Sequence, residues 1–298
     1  MDNFKLTIAI ITMNRALQVK KALESCLSSE LPKDTQFVVV DNGSLDNTQE
    51  VVNEIKSQCP WEFIYHRETE NRGAGEGRNI CYSLSKGEYI YFLDDDGEIA
   101  PECRKHFFVK AIQYLDRNPS VATLTTNIVD KVFGDRTGHV AKTRKVDGLR
   151  CVYTFHEGTV FIRKSAFSYP LYLDIKYGSE GIPVSMKAMD DNYENVYNPN
   201  IFINHYPKEN KWQDRKDYMN MLSASNIYVV KRIQYPFVFF PILNLAYRLR
   251  IHRYKLNDKG LIKSFKANNR QFIRNTSTKR IKCRTVLKSF KEFGMTTF

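Results

Sequence analysis

Three consecutive aspartates, Asp94, Asp95 and Asp96, follow a run of aromatic and β-branched residues in EYIYFLDDDGEIAP, residues 88–101. Adjacent carboxylates repel one another and bind protons more tightly unless positive charge sits among them. On an extended strand residues two apart share a side, so Asp94 and Asp96 are expected to face one site while Asp95 points away or into the turn. Carboxylates with open coordination positions suit Mg²⁺ or Mn²⁺ bridging a diphosphate. A merely solvated acidic turn is the competing reading, but such turns seldom follow so apolar a run.

Other polar stretches have chemical potential of their own. TMNR (12–15) offers Thr12, Asn14 and Arg15, and DNGSLDNT (41–48) offers Asp41 and Asn42. Asn42-Gly43 equally suits a tight turn, with Asp46 capping the helix that follows. In NRGAGEGRN (71–79), Asn71, Gly73, Gly75 and Gly77 precede a helix carrying Arg78. That arrangement lets backbone N–H groups and a guanidinium approach phosphate oxygens. The glycines imitate a dinucleotide fingerprint but follow the third strand.

The elements that must position these residues are legible from periodicity. KLTIAIIT, QFVVVD, WEFIYH and EYIYFLD read as strands, the apolar ones as buried. Between them RALQVKKALESCLSS, DNTQEVVNEIKSQ and GRNICYSLSKG read as helices, the last closed by Gly87. This alternation predicts an α/β fold, a mostly parallel central sheet flanked by helices. Ligands of open α/β sheets bind at the carboxyl ends of the strands, which is where all four polar loops fall. After residue 127 the reading is strands over 152–167, a helix over 183–193 with Pro183 in its first turn, and a closing pair of strands over 194–206.

TMNR, VVVDNGSLDNT, NRGAGEGRN and YFLDDDGEIAP, in this order and spacing, resemble the inverting family 2 glycosyltransferases of the GT-A fold. The resemblance covers roughly residues 5 to 210. It implies a metal-dependent transfer of sugar from a nucleotide-sugar donor, UDP- or dTDP-linked, to a glycan or lipid-linked glycan in bacterial surface polysaccharide synthesis. It implies that Asp41 reads the base, Asp94 the ribose, and Asp96 the Mn²⁺ or Mg²⁺ ion of a DxD motif. Thr12, Asn14, Arg15, Asn42, Asn71, Gly73, Arg78 and Asp95 complete the donor side. YGSEGIPVSMKAMDDNYENVYNPNIFINHY is similar to the acceptor-side segment, with Glu180 as general base and His205 as metal ligand. Gly181 stands where the family pattern has a second acid, and Asp190 and Asp191 are the fallback bases. By the same analogy His156 and Glu157 lie near the acceptor, with a structural role as the alternative. Trp212 is a candidate for stacking on a sugar or for packing.

The chain has 298 residues and a formal net charge of +12, with 42% hydrophobic and 26% charged residues, ordinary for a globular protein. Residues 216–298 carry 18 Lys or Arg against Asp217, Asp258 and Glu292, a net +15, which leaves −3 for residues 1–215. The expected division is a catalytic domain over 1–215 and a basic, aromatic helical region over 216–298. The segment YVVKRIQYPFVFFPILNLAYRLRIHRYK suits an anionic membrane interface, or packing on the catalytic domain or on another subunit of a homo-oligomer. Lacking a leader-like N-terminus or a spanning segment, the sequence predicts a cytoplasmic protein, peripheral on the inner face of the cell membrane. Six scattered cysteines without a CxxC pair indicate neither a zinc site nor a disulfide framework. Nucleic-acid binding fits the charge alone, without a recognised module, and is not expected. A nucleotidyltransferase would need a basic Gly-rich loop after the first strand, which TMNRALQ lacks. A noncatalytic nucleotide-sugar or glycan-binding protein on the same fold is the remaining alternative.

Overall fold

β1 (Leu6–Thr12) and β2 (Thr35–Asp41) are apolar runs buried along almost their whole length. Such strands need cover on both faces, and the computed structural model, which describes residues 4–131, 134–135, 143–175, 178–207 and 215–298, supplies it. α1 (Ala16–Leu27) and α2 (Thr48–Gln58) link β1, β2 and β3 (Glu62–Arg67); α3 (Ala74–Leu84) leads into β4 (Tyr89–Asp94). β5 (Gly97–Ile99), α4 (Phe107–Arg117), β6 (Val121–Asp130) and the short β7 (Gly134–Asp135), β8 (Lys145–Val146) and β9 (Leu149–Cys151) follow. β10 (Thr159–Arg163), α5 (Gly181–Asp190) and β11 (Glu194–His205) complete the sheet.

The strand order is β3-β2-β1-β4-β10-β6-β11-β9-β8, with β5 added on β11 and β7 on β6. β1 through β4 are mutually parallel, β10 is antiparallel to both its neighbours, and β6 and β11 are parallel. Strand alternation divides the core. Ile8, Ile10, Val39 and Tyr91 meet Val19, Leu23, Val52, Phe107 and Leu115 of α1, α2 and α4. Ala9, Val38, Val40 and Phe92 meet Cys81 and Tyr82 of α3 and Val184 of α5. This is the α/β fold with a central sheet flanked by helices that the periodicity predicts, but the sheet is mixed: β1 to β4 are parallel, whereas the pairings of β5, β7, β8, β9 and β10 are antiparallel.

Local boundaries differ in five places. Of the expected strand stretch 152–167 only β10, Thr159–Arg163, is a strand, and α5 starts two residues and ends three residues earlier than the expected 183–193. The expected closing pair of strands is a single strand, β11, with a register shift between Asn198 and Phe202. Pro199 has no N–H to donate, and the strand bulges around it instead of breaking. α3 ends at Leu84, ahead of Gly87. Gly87 answers a packing need: a Cβ there would lie 2.5 Å from the Thr7 backbone nitrogen. α2 starts at Thr48 with Asn47 as its cap residue, while Asp46 accepts from both the backbone and the hydroxyl of Thr48.

The basic C-terminal segment forms α6 (Lys216–Gln234), α7 (Phe240–Arg253), α8 (Lys259–Asn275) and α9 (Cys283–Phe293). Val230, Tyr235, Leu243, Ile281 and Val286 pack against Ile182 and Met186 of α5 and against Tyr153. Asp190 Oδ1 accepts from the Lys282 backbone N–H at 2.8 Å and from Thr285 Oγ1 at 2.6 Å, which secures the start of α9. Among the described residues no helix is long and apolar enough to cross a membrane.

Candidate active site

The loops at the carboxyl ends of β1, β2 and β4 enclose, together with the starts of α3 and α5, a cavity of about 730 Å³. Its wall includes Thr12, Arg15, Asn42, Asn71, Gly73, Arg78, Asp94, Asp95, Asp96, Glu157, Glu180 and His205. All were singled out from sequence, from stretches spread over almost 200 positions.

β4 stops at Asp94, and Asp95 and Asp96 form the turn into β5. Strand alternation therefore ends at Asp94, and of the two expected directions for Asp95 the structure shows the one into the turn. Asp95 is buried: its Oδ2 accepts from Thr12 Oγ1 at 2.8 Å and its Oδ1 from Arg15 at 2.7 Å. The same Arg15 nitrogen donates to Asp96 Oδ2 at 2.7 Å. Burial pushes Asp95 up to about 6, against the pull of Arg15. For Asp96 burial acts in the same sense, but His205 and Arg15 outweigh it and hold the carboxyl below its ordinary value.

His205 arrives through the sheet. β5 pairs antiparallel with the end of β11, which sets His205 opposite Gly97, and Nε2 lies 3.4 Å from Asp96 Oδ1. Nδ1 lies 3.1 Å from Oδ2 of Asp130, a buried carboxylate at the end of β6. Burial works against the imidazolium, yet Asp96 and Asp130 together raise His205 above its ordinary value. Asp130 was missed in the sequence; its signal was a lone acid closing the β-branched run TLTTNIVD.

Arg78, on the first turns of α3, is buried and donates to Asp94 Oδ1 at 2.7 Å. Gly158, from the loop before β10, comes so near that a Cβ there would lie 2.6 Å from Asp94 Oδ2. The glycines of NRGAGEGRN divide by role. Gly73 adopts φ +85° at the cavity wall, whereas Gly75 and Gly77 are set by packing: a Cβ would lie 2.6 Å from Leu173 O and 3.0 Å from Ile11 Cγ2 respectively. Asn42 Nδ2 donates to Gly73 O at 3.2 Å, and its buried Oδ1 has no hydrogen-bond partner among the described residues.

Glu180 precedes α5 in a turn where Gly178 and Ser179 adopt φ +81° and +72°. Its Oε1 accepts the Gly178 N–H at 2.8 Å, and Glu157 Oε1 accepts the Gly181 N–H at 2.7 Å. Burial raises both carboxyls above their ordinary value, Glu157 adds to the effect on Glu180, and Arg78 opposes it.

Asp41, Asn14 and His156 are not part of the wall. Asp41 is fully buried; its oxygens accept from the Ser44 N–H and the Tyr65 hydroxyl, so it fixes the turn that presents Asn42. Asn14, at φ +53°, ties the first loop to the second through Ser44 Oγ and the Leu45 N–H. His156 is exposed beside Glu157 without lining the cavity. Trp212 lies outside the described residues. Of the fallback bases, Asp190 is engaged with α9 at the far end of α5, about 14 Å of helix from Glu180.

A metal or nucleotide would have to be held by these groups. Among the described residues no three His, Cys, Asp or Glu side chains converge as a ready-made metal site. Asp96 and His205 offer one carboxylate oxygen and one imidazole nitrogen side by side, a donor pair that fits Mn²⁺ or Mg²⁺ with its other positions taken by diphosphate and water. The guanidinium of Arg15 between Asp95 and Asp96 marks the same spot as one that attracts a cation.

The sheet order and the acidic cleft at its strand ends are those of a GT-A fold. The sequence profile of "Glycosyl transferase family 2" matches residues 7–167, more than half of the chain, and the chain belongs to that family. It is 24% identical over 265 residues to a poly(ribitol-phosphate) beta-glucosyltransferase of Bacillus spizizenii, covering 79% of this chain and 39% of the relative. It is 26% identical over 207 residues to a poly-beta-1,6-N-acetyl-D-glucosamine synthase of Staphylococcus epidermidis, covering 65% and 48%. The chain thus spans less than half the length of these curated relatives. S. aureus TarS 1–349 superposes with a TM-score of 0.63 at 17% identity, covering 91% of this chain and 80% of that one. The mannosyltransferase PcManGT from Pyrobaculum calidifontis, in complex with GDP-Man and Mn²⁺, gives 0.60 at 16% identity, covering 93% and 77%.

Proposed function

We propose that this chain transfers a sugar from a nucleotide-sugar donor to a hydroxyl of a glycan or lipid-linked glycan, with inversion at the anomeric carbon, in surface polysaccharide synthesis. The observation that carries the reading is one cavity walled by Asp94 to Asp96, Arg78, Glu180 and His205 at the carboxyl ends of the strands. The donor is UDP-linked, in keeping with the UDP-GlcNAc named for a TarS complex of similar fold. Asp94 meets the ribose; Asn42, with its free buried oxygen, stands in for Asp41 at the base.

Glu180 accepts the proton of the acceptor hydroxyl as its oxygen bonds to the anomeric carbon. The bond from that carbon to the diphosphate oxygen breaks, and its electron pair leaves with the nucleoside diphosphate. A raised proton affinity at Glu180 suits it as a base near neutral pH. Arg78 faces the same space with a fixed positive charge for the departing phosphate. Asp96 and His205 would hold Mn²⁺ or Mg²⁺, which supplies Lewis-acid neutralisation of the diphosphate.

Residues 216–298 form an appendage that seats the enzyme on the inner face of the membrane. Leu245 and Leu249 are exposed four residues apart along α7, with Phe237 and Val238 exposed in the turn that leads into it. Lys259, Lys263, Lys266, Arg270 and Arg274 form a cationic stripe along α8. Such a pair of surfaces matches an acyl boundary beneath anionic headgroups.

The test is UDP release from UDP-glucose and UDP-N-acetylglucosamine in the presence of Mn²⁺. Turnover is expected to vanish in D96A, and to fall at least about 100-fold in E180Q with UDP affinity unchanged. Undiminished turnover in E180Q would discard the base assignment.

A further inference from the structure

Glu157 and Glu180 reach one cavity from separate parts of the chain, the loop before β10 and the turn before α5. The residue that lets them meet is Gly181. Its backbone is not in the left-handed region that demands glycine. What demands it is space: a Cβ at 181 would lie 3.0 Å from Glu157 Oε1 and 3.0 Å from the Phe155 ring. Glu157 Oε1 fills that space and takes the Gly181 N–H at 2.7 Å. The charged and titratable groups facing the pair are Arg78 from α3, Asp94 from β4 and Tyr172 from the segment after β10. The Arg78 hydrogen bond goes to Asp94, so neither glutamate is neutralised by direct pairing with it.

We infer that Glu157 is a positioning residue for proton transfer: seated in the gap left by Gly181, its charge makes Glu180 a stronger base. This rests on the reading of Glu180 as that base. An anchor for α5 alone would need no charge, since a neutral amide oxygen also accepts the Gly181 N–H. Burial raises the proton affinity of both carboxyls, and at Glu180 the charge of Glu157 adds to it.

Thermal unfolding of the full chain from about pH 5 to pH 8 separates the two roles in wild type, E157Q, E180Q and the double variant. A carboxyl whose proton affinity is raised by folding contributes stability at low pH that is lost as pH rises through the folded value. E157Q removes that penalty and keeps the hydrogen bond. Its Tm is therefore expected to exceed wild type by about 2–4 °C near pH 8, with the gain shrinking toward pH 5. The double variant is expected to gain less than the sum of the singles. In UDP release from UDP-glucose with Mn²⁺, E157Q is expected to lower the plateau about 10-fold and move the acid limb to lower pH. A Tm at or below wild type at every pH, or additive gains, overturns the role of Glu157 while leaving Glu180 as base if E180Q is inactive. Coupled Tm gains with full turnover in E180Q overturn the base reading, and the proton-transfer role with it.

Discussion

Replacing Arg78 with Met removes a guanidinium whose side chain is 7% exposed and which faces Asp94, Glu157 and Glu180. The methionine fills much of the same volume, so the loss is mainly electrostatic. Breaking a buried pair by deleting one partner costs about 3–5 kcal/mol, because the other charge is left uncompensated. Asp94 is 44% exposed, and water will recover part of that, which places the expectation near the lower bound, about 3 kcal/mol. For a protein of this size that corresponds to a fall in Tm of about 5 °C. The sign of the pH dependence follows from the same charges. Glu157 and Glu180 already bind protons more tightly folded than unfolded, and losing Arg78 strengthens that preference, so the variant regains stability as they protonate. Denaturant unfolding near pH 8 and pH 5 is expected to show a larger gap between wild type and R78M at the higher pH. A loss below about 1 kcal/mol, equal at both pH values, would refute the view that Arg78 balances three carboxylates.

Other consequences are more local. D130N removes the carboxylate that orients His205 and is expected to weaken Mn²⁺ affinity about 10–100-fold, measured by competition titration with a metal indicator; unchanged affinity would detach Asp130 from the site. G87A sets a Cβ against backbone atoms of Leu6 and Thr7, which cannot swing aside, and is expected to cost roughly 2–3 kcal/mol in urea unfolding; a neutral result would mean β1 shifts freely. The double variant L245E/L249E is expected to lose co-sedimentation with phosphatidylglycerol vesicles while keeping wild-type Tm; retained binding would remove α7 from the membrane contact.

The central sheet was readable because buried parallel strands are nearly continuous apolar runs, and LTIAIIT and QFVVVD are of that kind. The cleft was readable because the rule for strand carboxyl ends collects loops that are distant in sequence. Side-chain direction was less accessible. Alternation left Asp95 pointing away or into the turn, and the tertiary contacts with Arg15 and Thr12 decide for the turn. Asp41 sits at the end of a strand like a ligand-reading acid, yet Tyr65 and Ser44 claim its oxygens, contacts that depend on β3 lying alongside β2. Asp130 meets His205 through the parallel pairing of β6 with β11, a tertiary register that no local pattern records. The glycines at 87, 158 and 181 answer to Thr7, Asp94 and Glu157, which are 80, 64 and 24 positions away, contacts that no local pattern records.

The measurement closest to the heart of the account is calorimetric titration of UDP into wild type, D96A and H205A, with and without Mn²⁺. The account predicts metal-dependent binding in wild type, weakened at least about 10-fold by either substitution. Equal UDP affinity in all three proteins, indifferent to metal, would contradict it.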